Sequence, residues 1–340
     1  MSQPTLTLAG VRVKAGTRST VQVPVAPLYT HTEMTLPVHV IHGRRPGPRL
    51  FVCGAVHGDE IIGMEIIRRL MRRKGLQSIR GTLLAIPVVN VYGFLQHSRY
   101  SPDRRDLNRF FPGSVKGSLT SQLAGTVMEE LVRGSTHGID LHAGSNHRTN
   151  LPQIRAVLDD PETLALAKAF KVPVVINAEA REGSLRQAAR EMGIRVLLYE
   201  AGEALRFDET AIRAGARGII SVMQHIGMLS AKRPAASGIE PLIADTTSWV
   251  RTPISGILTM TVPLGSRVAK NSKIAEIADP FGEESQEIRS PVSGMVIGRL
   301  NMPLVHQGDA VIHIAHLDRL KGIAPLMEDF REEINDTDRY

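Results

Sequence analysis

One cysteine, Cys53, stands in 340 residues. That excludes an internal disulfide and fits a reducing compartment. Aromatic residues make up only 4% of the chain, too few to build a stacking array for single-stranded nucleic acid. No segment approaches the roughly 20 consecutive apolar residues that a membrane-spanning helix needs. The opening MSQPTLTLAGVRVKAGTRST lacks a basic stretch followed by an apolar one, so no signal peptide is expected. These absences lead to an expected cytoplasmic location, with no membrane partner and no nucleic-acid partner.

Charge is not lacking. The net charge is +7, while 42% hydrophobic and 22% charged residues are globular values. A basic balance suits a polyanion or an acidic small substrate. The basic residues cluster twice. RRLMRRK (Arg68 to Lys74) reads as the end of a helix, where cations favour the dipole. RYSPDRRDLNR (Arg99 to Arg109) has no helical pattern and carries four arginines and Asn108. Such a loop can act as an anion clamp, because guanidinium pairs with carboxylate through two hydrogen bonds. The plainer alternative is a surface loop that pairs Asp103 and Asp106 internally.

The chain is organised around LFVCGAVHGDEIIGMEIIRRL, Leu50 to Leu70. Its first half is an uncharged run of strand type. Its second half has the apolar stripe of a helix, formed by Ile61, Ile62, Met64, Ile66, Ile67 and Leu70 with Glu65 among them. The turn between them holds His57 and Glu60, at the carboxyl end of a strand, where open α/β sheets bind ligands. Two histidines and one glutamate form a known catalytic zinc set with an open fourth position. His142, at the end of the short strand GIDLH, is the expected third ligand. Asp59 and Asp140 are acidic neighbours able to orient the imidazoles. A lone HxxE pair is more often surface capping than a metal site, so the strand-end context carries the reading.

Taken in order, residues 1–30 alternate as edge or hairpin strands. Met34 to His42 reads as a strand, Pro46 to Pro48 as a turn, and Gly81 to Asn90 as a buried strand. Helices are expected over Ser121 to Arg133, Pro161 to Lys171, Ser184 to Met192 and Thr210 to Leu229. Strands are expected over Gly138 to His142, Pro173 to Ile176 and Arg195 to Glu200. This alternation implies an α/β sheet flanked by helices. Glu200, at a strand end, is a candidate general base; the alternative is a carboxylate paired with Arg195 or Arg206. Ala231 to Ile239 (AKRPAASGI) reads as a linker. The tail repeats itself: RTPISGI from Arg251 returns as RSPVSGM from Arg289. Two such halves suggest a small two-fold β-barrel or sandwich, which resembles the biotinyl/lipoyl-type barrel-sandwich. The link between them, DPFGEESQEIRS, has no lysine to carry a swinging arm. The expected division is a catalytic α/β domain at 1–240, with N-terminal strands at 1–45, and a β-domain at 241–335.

GAVHGDE (Gly54 to Glu60), SRY with DLNR (Ser98 to Tyr100; Asp106 to Arg109), DLH (Asp140 to His142) and Glu200-x-Gly202 occur in this order. Together they resemble the succinylglutamate desuccinylase/aspartoacylase family, related to the zinc carboxypeptidases. The resemblance implies a zinc-carboxypeptidase-like mixed sheet with one Zn2+ per chain on His57, Glu60 and His142. It further implies Glu200 as the residue that activates water and Arg99 as the group that polarises the scissile carbonyl. Asn108 and Arg109 would grip a substrate carboxylate, with Arg186 as a further substrate-side arginine and Arg190 as its fallback. The implied activity is hydrolysis of the amide bond of an N-acyl amino acid or related small N-acyl amine. A zinc carboxypeptidase acting on short peptides and a zinc-stabilised binding protein are the alternatives. The acyl group and the amine are not readable, and a homo-oligomer is compatible with the residues.

Overall fold

The apolar run at Leu50 becomes the inner part of the strand Arg45–Gly54. On one side it pairs in parallel with Arg80–Ile86 and on the other with His137–Gly144. Both neighbours are buried almost throughout, as strands covered on two faces must be. His137–Gly144 pairs in parallel with Arg195–Glu203, which pairs antiparallel with Arg148–Ala156. Met34–His42 and Thr17–Val25 continue the sheet antiparallel beyond Arg80–Ile86. The result is a mixed sheet, seen in a computed structural model that describes residues 3–230, 240–317 and 322–335. The AKRPAASGI linker lies outside the described residues.

Helices Ile62–Met71 and Glu209–His225 pack on one face, over Ile66, Ile67, Leu197 and Tyr199. Helices Leu119–Val127 and Leu185–Glu191 belong to the opposite face, around Phe51, Leu84 and Val196. Ser184 caps the second of these, its hydroxyl accepting from the Gln187 N–H.

Two local expectations need correction. Pro46 to Pro48 forms no separate turn: it lies inside Arg45–Gly54, where the register to Arg80–Ile86 shifts between Arg45 and Arg49. A strand was also missed. Arg148–Ala156 contains Pro152, and a proline inside an apolar run argues against a central strand. Nevertheless this strand is a branch point. One edge meets Arg195–Glu203, and the other is shared between Gly294–Leu300 and Val174–Asn177.

The internal repeat appears as an exchange of partners. Its first half holds Thr247–Arg251, Gly256–Met260, Arg267–Val268 and Lys273–Ala278. The second holds Ser285–Arg289, Gly294–Leu300, Leu304–Val305 and Ala310–His316. The first strand of each half pairs with the last strand of the other. The second strand pairs with the last strand of its own half and the third of the other. The halves are thus two-fold related, and Gly294–Leu300 pairs with Arg148–Ala156 and so ties Thr247–Arg251, Arg267–Val268 and Ala310–His316 into the main sheet. The tail is not wholly β. Helix Ile323–Asn335 buries Ile323, Met327, Phe330 and Ile334, and its Glu333 pairs with Arg217 of Glu209–His225 at 2.6 Å.

Candidate active site

After Gly54 the chain leaves its strand and turns through His57-Gly58-Asp59-Glu60 into the helix Ile62–Met71. Gly58 is required here: a Cβ would lie 2.1 Å from the Gly93 carbonyl carbon. The turn therefore presses directly against the backbone of the next loop. His142 arrives on the neighbouring strand His137–Gly144. His57, Glu60 and His142 are all buried and offer ligand atoms within 4.8 Å of one another.

The donor geometry is specific. His57 Nδ1 is 2.7 Å from Glu60 Oε1, and His142 Nδ1 is 2.8 Å from Glu60 Oε2. The opposite nitrogens face acids: His57 Nε2 lies 3.0 Å from Asp106 Oδ1, and His142 Nε2 lies 2.8 Å from Asp140 Oδ2. Acids at Nε2 favour the tautomer that leaves each Nδ1 lone pair available to a metal. Of the two expected orienting acids, Asp140 fills that role, while Asp59 does not touch His57. Asp106, brought back by the Arg99 to Arg109 loop, stands in its place. Burial alone would push the His142 imidazole down, but Asp140 and Glu60 outweigh it and raise it well above the ordinary range. Burial would likewise raise Glu60, yet His57 and His142 hold it well below the usual carboxylate range. Charge compensation thus keeps this buried carboxylate ionised.

Arg99 links Glu60 and Asp106, with Nη1 3.2 Å from Glu60 Oε1 and Nη2 3.0 Å from Asp106 Oδ2. Asn108 accepts from the Leu185 N–H at 2.9 Å, which ties the loop to the start of the helix Leu185–Glu191. Arg104 and Arg105 do not join this group; Arg105 pairs with Asp103 at 3.3 Å and lies over the Phe110 ring. The arginine loop therefore divides, with one part facing the site and the other paired on the surface.

A cavity of about 420 Å³ opens over the cluster. His57, Glu60, His142, Arg99, Asn108, Arg109, Arg186 and Glu200 all line it. Arg186 is buried; its Nη2 donates to the Glu179 carbonyl at 2.7 Å, and its Nη1 has no partner among the described residues. Burial, with Arg155 nearby, pushes its guanidinium down to about 10. Arg190 lines a different cavity and lies 3.9 Å from Glu179. Glu200 pairs with neither Arg195, which binds Asp160 and Glu162, nor Arg206. Its partners are Asn150 and Arg155 on the missed strand.

The tail also reaches the cavity. Trp249 lines it and stacks on His313, with ring centroids 4.5 Å apart and planes 7° apart, while Arg148 lies over the indole. Burial, aided by Arg155, pushes His313 down to about 3, so the imidazole beneath the indole is neutral. The lone tryptophan of the chain was the one signal in the tail that could have drawn attention to this wall.

Residues 46–226 match the Succinylglutamate desuccinylase/Aspartoacylase catalytic domain. The chain belongs to that family. A curated relative, the N-alpha-acetyl-L-2,4-diaminobutyric acid deacetylase of Halomonas elongata, is 30% identical over 68% of this chain and 71% of its own length. Among solved structures, the product-bound ectoine utilization protein EutE (DoeB) of Ruegeria pomeroyi is 26% identical with a TM-score of 0.77, over 88% of this chain and 95% of that one. A succinylglutamate desuccinylase/aspartoacylase of Rhodobacter sphaeroides is 25% identical with a TM-score of 0.75, over 87% and 95%. Members of the family are deacylases, and membership makes this chain a hydrolase of that type. No helix among the described residues is long and apolar enough to cross a membrane.

Proposed function

We propose that this protein is a zinc-dependent hydrolase that cleaves the amide bond of an N-acyl amino acid or a related small N-acyl amine in the cytoplasm. The observation that carries this reading is the convergence of His57, Glu60, His142, Arg99, Asn108, Arg109, Arg186 and Glu200 on one cavity. The metal reading has its own support. Two Nδ1 atoms and an ionised carboxylate meet at one buried point, each imidazole is backed by an acid, and the cavity lies open beside them. Three such donors with one open side match catalytic rather than structural zinc. Bound there, zinc would supply Lewis acidity and a water activated near neutral pH.

The chain's own groups account for the remaining chemistry. Glu200 takes the proton of the attacking water and delivers it to the departing amine as the C–N bond breaks. The Arg99 guanidinium stabilises the oxyanion that develops on the acyl carbonyl. Asn108 and Arg109 hold the amino-acid carboxylate, which converts binding into orientation. The unpaired Nη1 of Arg186 is a buried donor without an acceptor, a costly state that a second substrate carboxylate or carbonyl relieves.

The test is amine release from a panel of N-acyl amino acids by zinc-loaded protein. The panel includes N-acetyl-L-2,4-diaminobutyrate, N-acetylaspartate and N-succinylglutamate, with Glu200→Gln as control. Release from one member, absent in the control, supports the deacylase reading and names the substrate. Silence on the panel with turnover of dipeptides moves the assignment to a carboxypeptidase. Silence on both, with zinc bound, leaves a binding protein.

A further inference from the structure

The strand Arg148–Ala156, hidden from the sequence by its proline, puts two side chains on Glu200. Asn150 Nδ2 donates to Glu200 Oε1 at 3.0 Å. Arg155 Nε lies 3.4 Å from Glu200 Oε2, on the other oxygen. The two carboxylate oxygens are therefore addressed separately, one by a neutral donor and the other by a cation. We propose that Asn150 and Arg155 are positioning residues that clamp the Glu200 carboxylate in the orientation its proton transfers require. The proposal rests on the reading of Glu200 as the general base.

Three observations beyond the two contacts support the clamp. First, Glu200 sits where its strand is irregular: the register shifts after it toward both His137–Gly144 and Arg148–Ala156. Such irregularities re-aim a side chain, and a re-aimed side chain needs something other than the sheet to hold it. Second, Asn150 is itself held. It is buried, and it lies opposite Gly298 of the tail strand Gly294–Leu300. A Cβ on Gly298 would come within 2.8 Å of Asn150 Oδ1 and 3.2 Å of His313 Cβ. A side chain there would press on this amide, so the tail strand packs against the amide that holds Glu200. Third, the pairing is graded in strength. A short, fully hydrogen-bonded arginine would compete with the proton that a base must accept. The Arg155 contact is longer than a typical hydrogen bond, so it orients the carboxylate by charge without capping the oxygen. Arg186 lines the same cavity as Glu200.

The clamp predicts a loss in kcat and not in substrate binding. Asn150→Ala and Arg155→Met are each expected to lower kcat about tenfold to hundredfold, the scale of a misplaced catalytic group. KM should stay within about twofold of wild type and zinc content should be unchanged, since uniform binding is untouched. Arg155→Lys should recover part of the loss, and added guanidinium ion should recover part of it in Arg155→Met. An increase in KM with kcat unchanged would make Arg155 a substrate ligand and overturn the clamp. Glu200→Gln, measured alongside, separates the two layers. If it turns over substrate as wild type does, the base assignment fails. If it is inactive while Asn150→Ala and Arg155→Met keep wild-type kcat, the clamp alone fails. Crystals of the two variants read the orientation without any turnover: the Glu200 carboxylate should leave its wild-type rotamer in each. A carboxylate unmoved in both overturns the proposal whatever the activity.

Discussion

The two ends of the cavity differ in how far their polar atoms are satisfied. At the His57 end, all four imidazole nitrogens and both oxygens of Glu60 have partners within the protein. At the other end, Arg186 keeps a buried nitrogen with no partner among the described residues. A buried donor without an acceptor costs on the order of 1–3 kcal/mol and is rare in native proteins. The difference teaches which end is preorganised and which end waits. The first end holds its donor atoms in a fixed arrangement, as the proposed zinc site requires. The second stores unmet hydrogen-bonding capacity that a substrate can satisfy.

The largest expected effect breaks the preorganised end. His142→Ala should release the metal and remove turnover, read as zinc per chain after dialysis; full zinc occupancy would remove His142 from the ligand set. Next comes the group between the two ends. Glu200→Gln should keep zinc and lose about 10²–10⁴-fold in kcat, the usual worth of a general base. Asp106→Asn sharpens the comparison, because it leaves the ligands and weakens what holds His57 and Arg99. Zinc affinity is expected to fall about 10–100-fold in a competition titration with a chelator; unchanged affinity would mean that the Asp106 contact does not tune the site. Arg186→Met probes the waiting end. It should raise KM about tenfold or more with zinc affinity unchanged, the worth of one charged hydrogen bond. A KM equal to wild type would show that the unpaired nitrogen does not meet substrate.

The smallest effect lies away from the cavity and serves as a control. Arg69 bridges Glu65 and Glu209, joining the helices Ile62–Met71 and Glu209–His225. Arginine hydrogen bonds, from Arg68 to Glu65 and from Arg69 to Glu209, hold both carboxyls at about 2. Groups depressed on folding stabilise above their unfolded value, and that stability drains away as the pH falls through the folded one. Arg69→Ala is therefore expected to cost about 1 kcal/mol near neutral pH, shrinking between pH 4.5 and 2. Equal denaturation midpoints for variant and wild type at neutral pH would show that the bridge adds nothing.

Much of this was legible in the chain. His57 and Glu60 follow one apolar strand, and His142 and Glu200 lie near the carboxyl ends of two others, so their convergence at that end of the sheet followed from periodicity and topology. The tail's repeat was legible too, because Arg251 to Ile257 and Arg289 to Met295 share spacing and residue types, and the structure converts that likeness into exchanged strand partners. What escaped notice escaped for physical reasons. Pro152 hid the strand that carries Asn150 and Arg155, because a proline donates no hydrogen bond and usually marks an edge. Asp59 drew attention as the neighbour of His57, but the acid at that imidazole is Asp106, which only the return of its loop brings near.

By itself the sequence determined the elements and the chemical types at their ends, because side-chain period and turn chemistry are local properties. It also marked the family, since its motifs are short and ordered. Only the tertiary structure decided which acid backs His57, which arginines face the cavity, and that Trp249 of the tail lines the same cavity as His57. Those choices depend on strands far apart in the chain lying about 5 Å apart in a sheet, and on approaches as close as that of the Gly93 backbone to Gly58, which leaves no room for a Cβ. Contacts of that kind are set by packing across the whole sheet, and no local pattern encodes them.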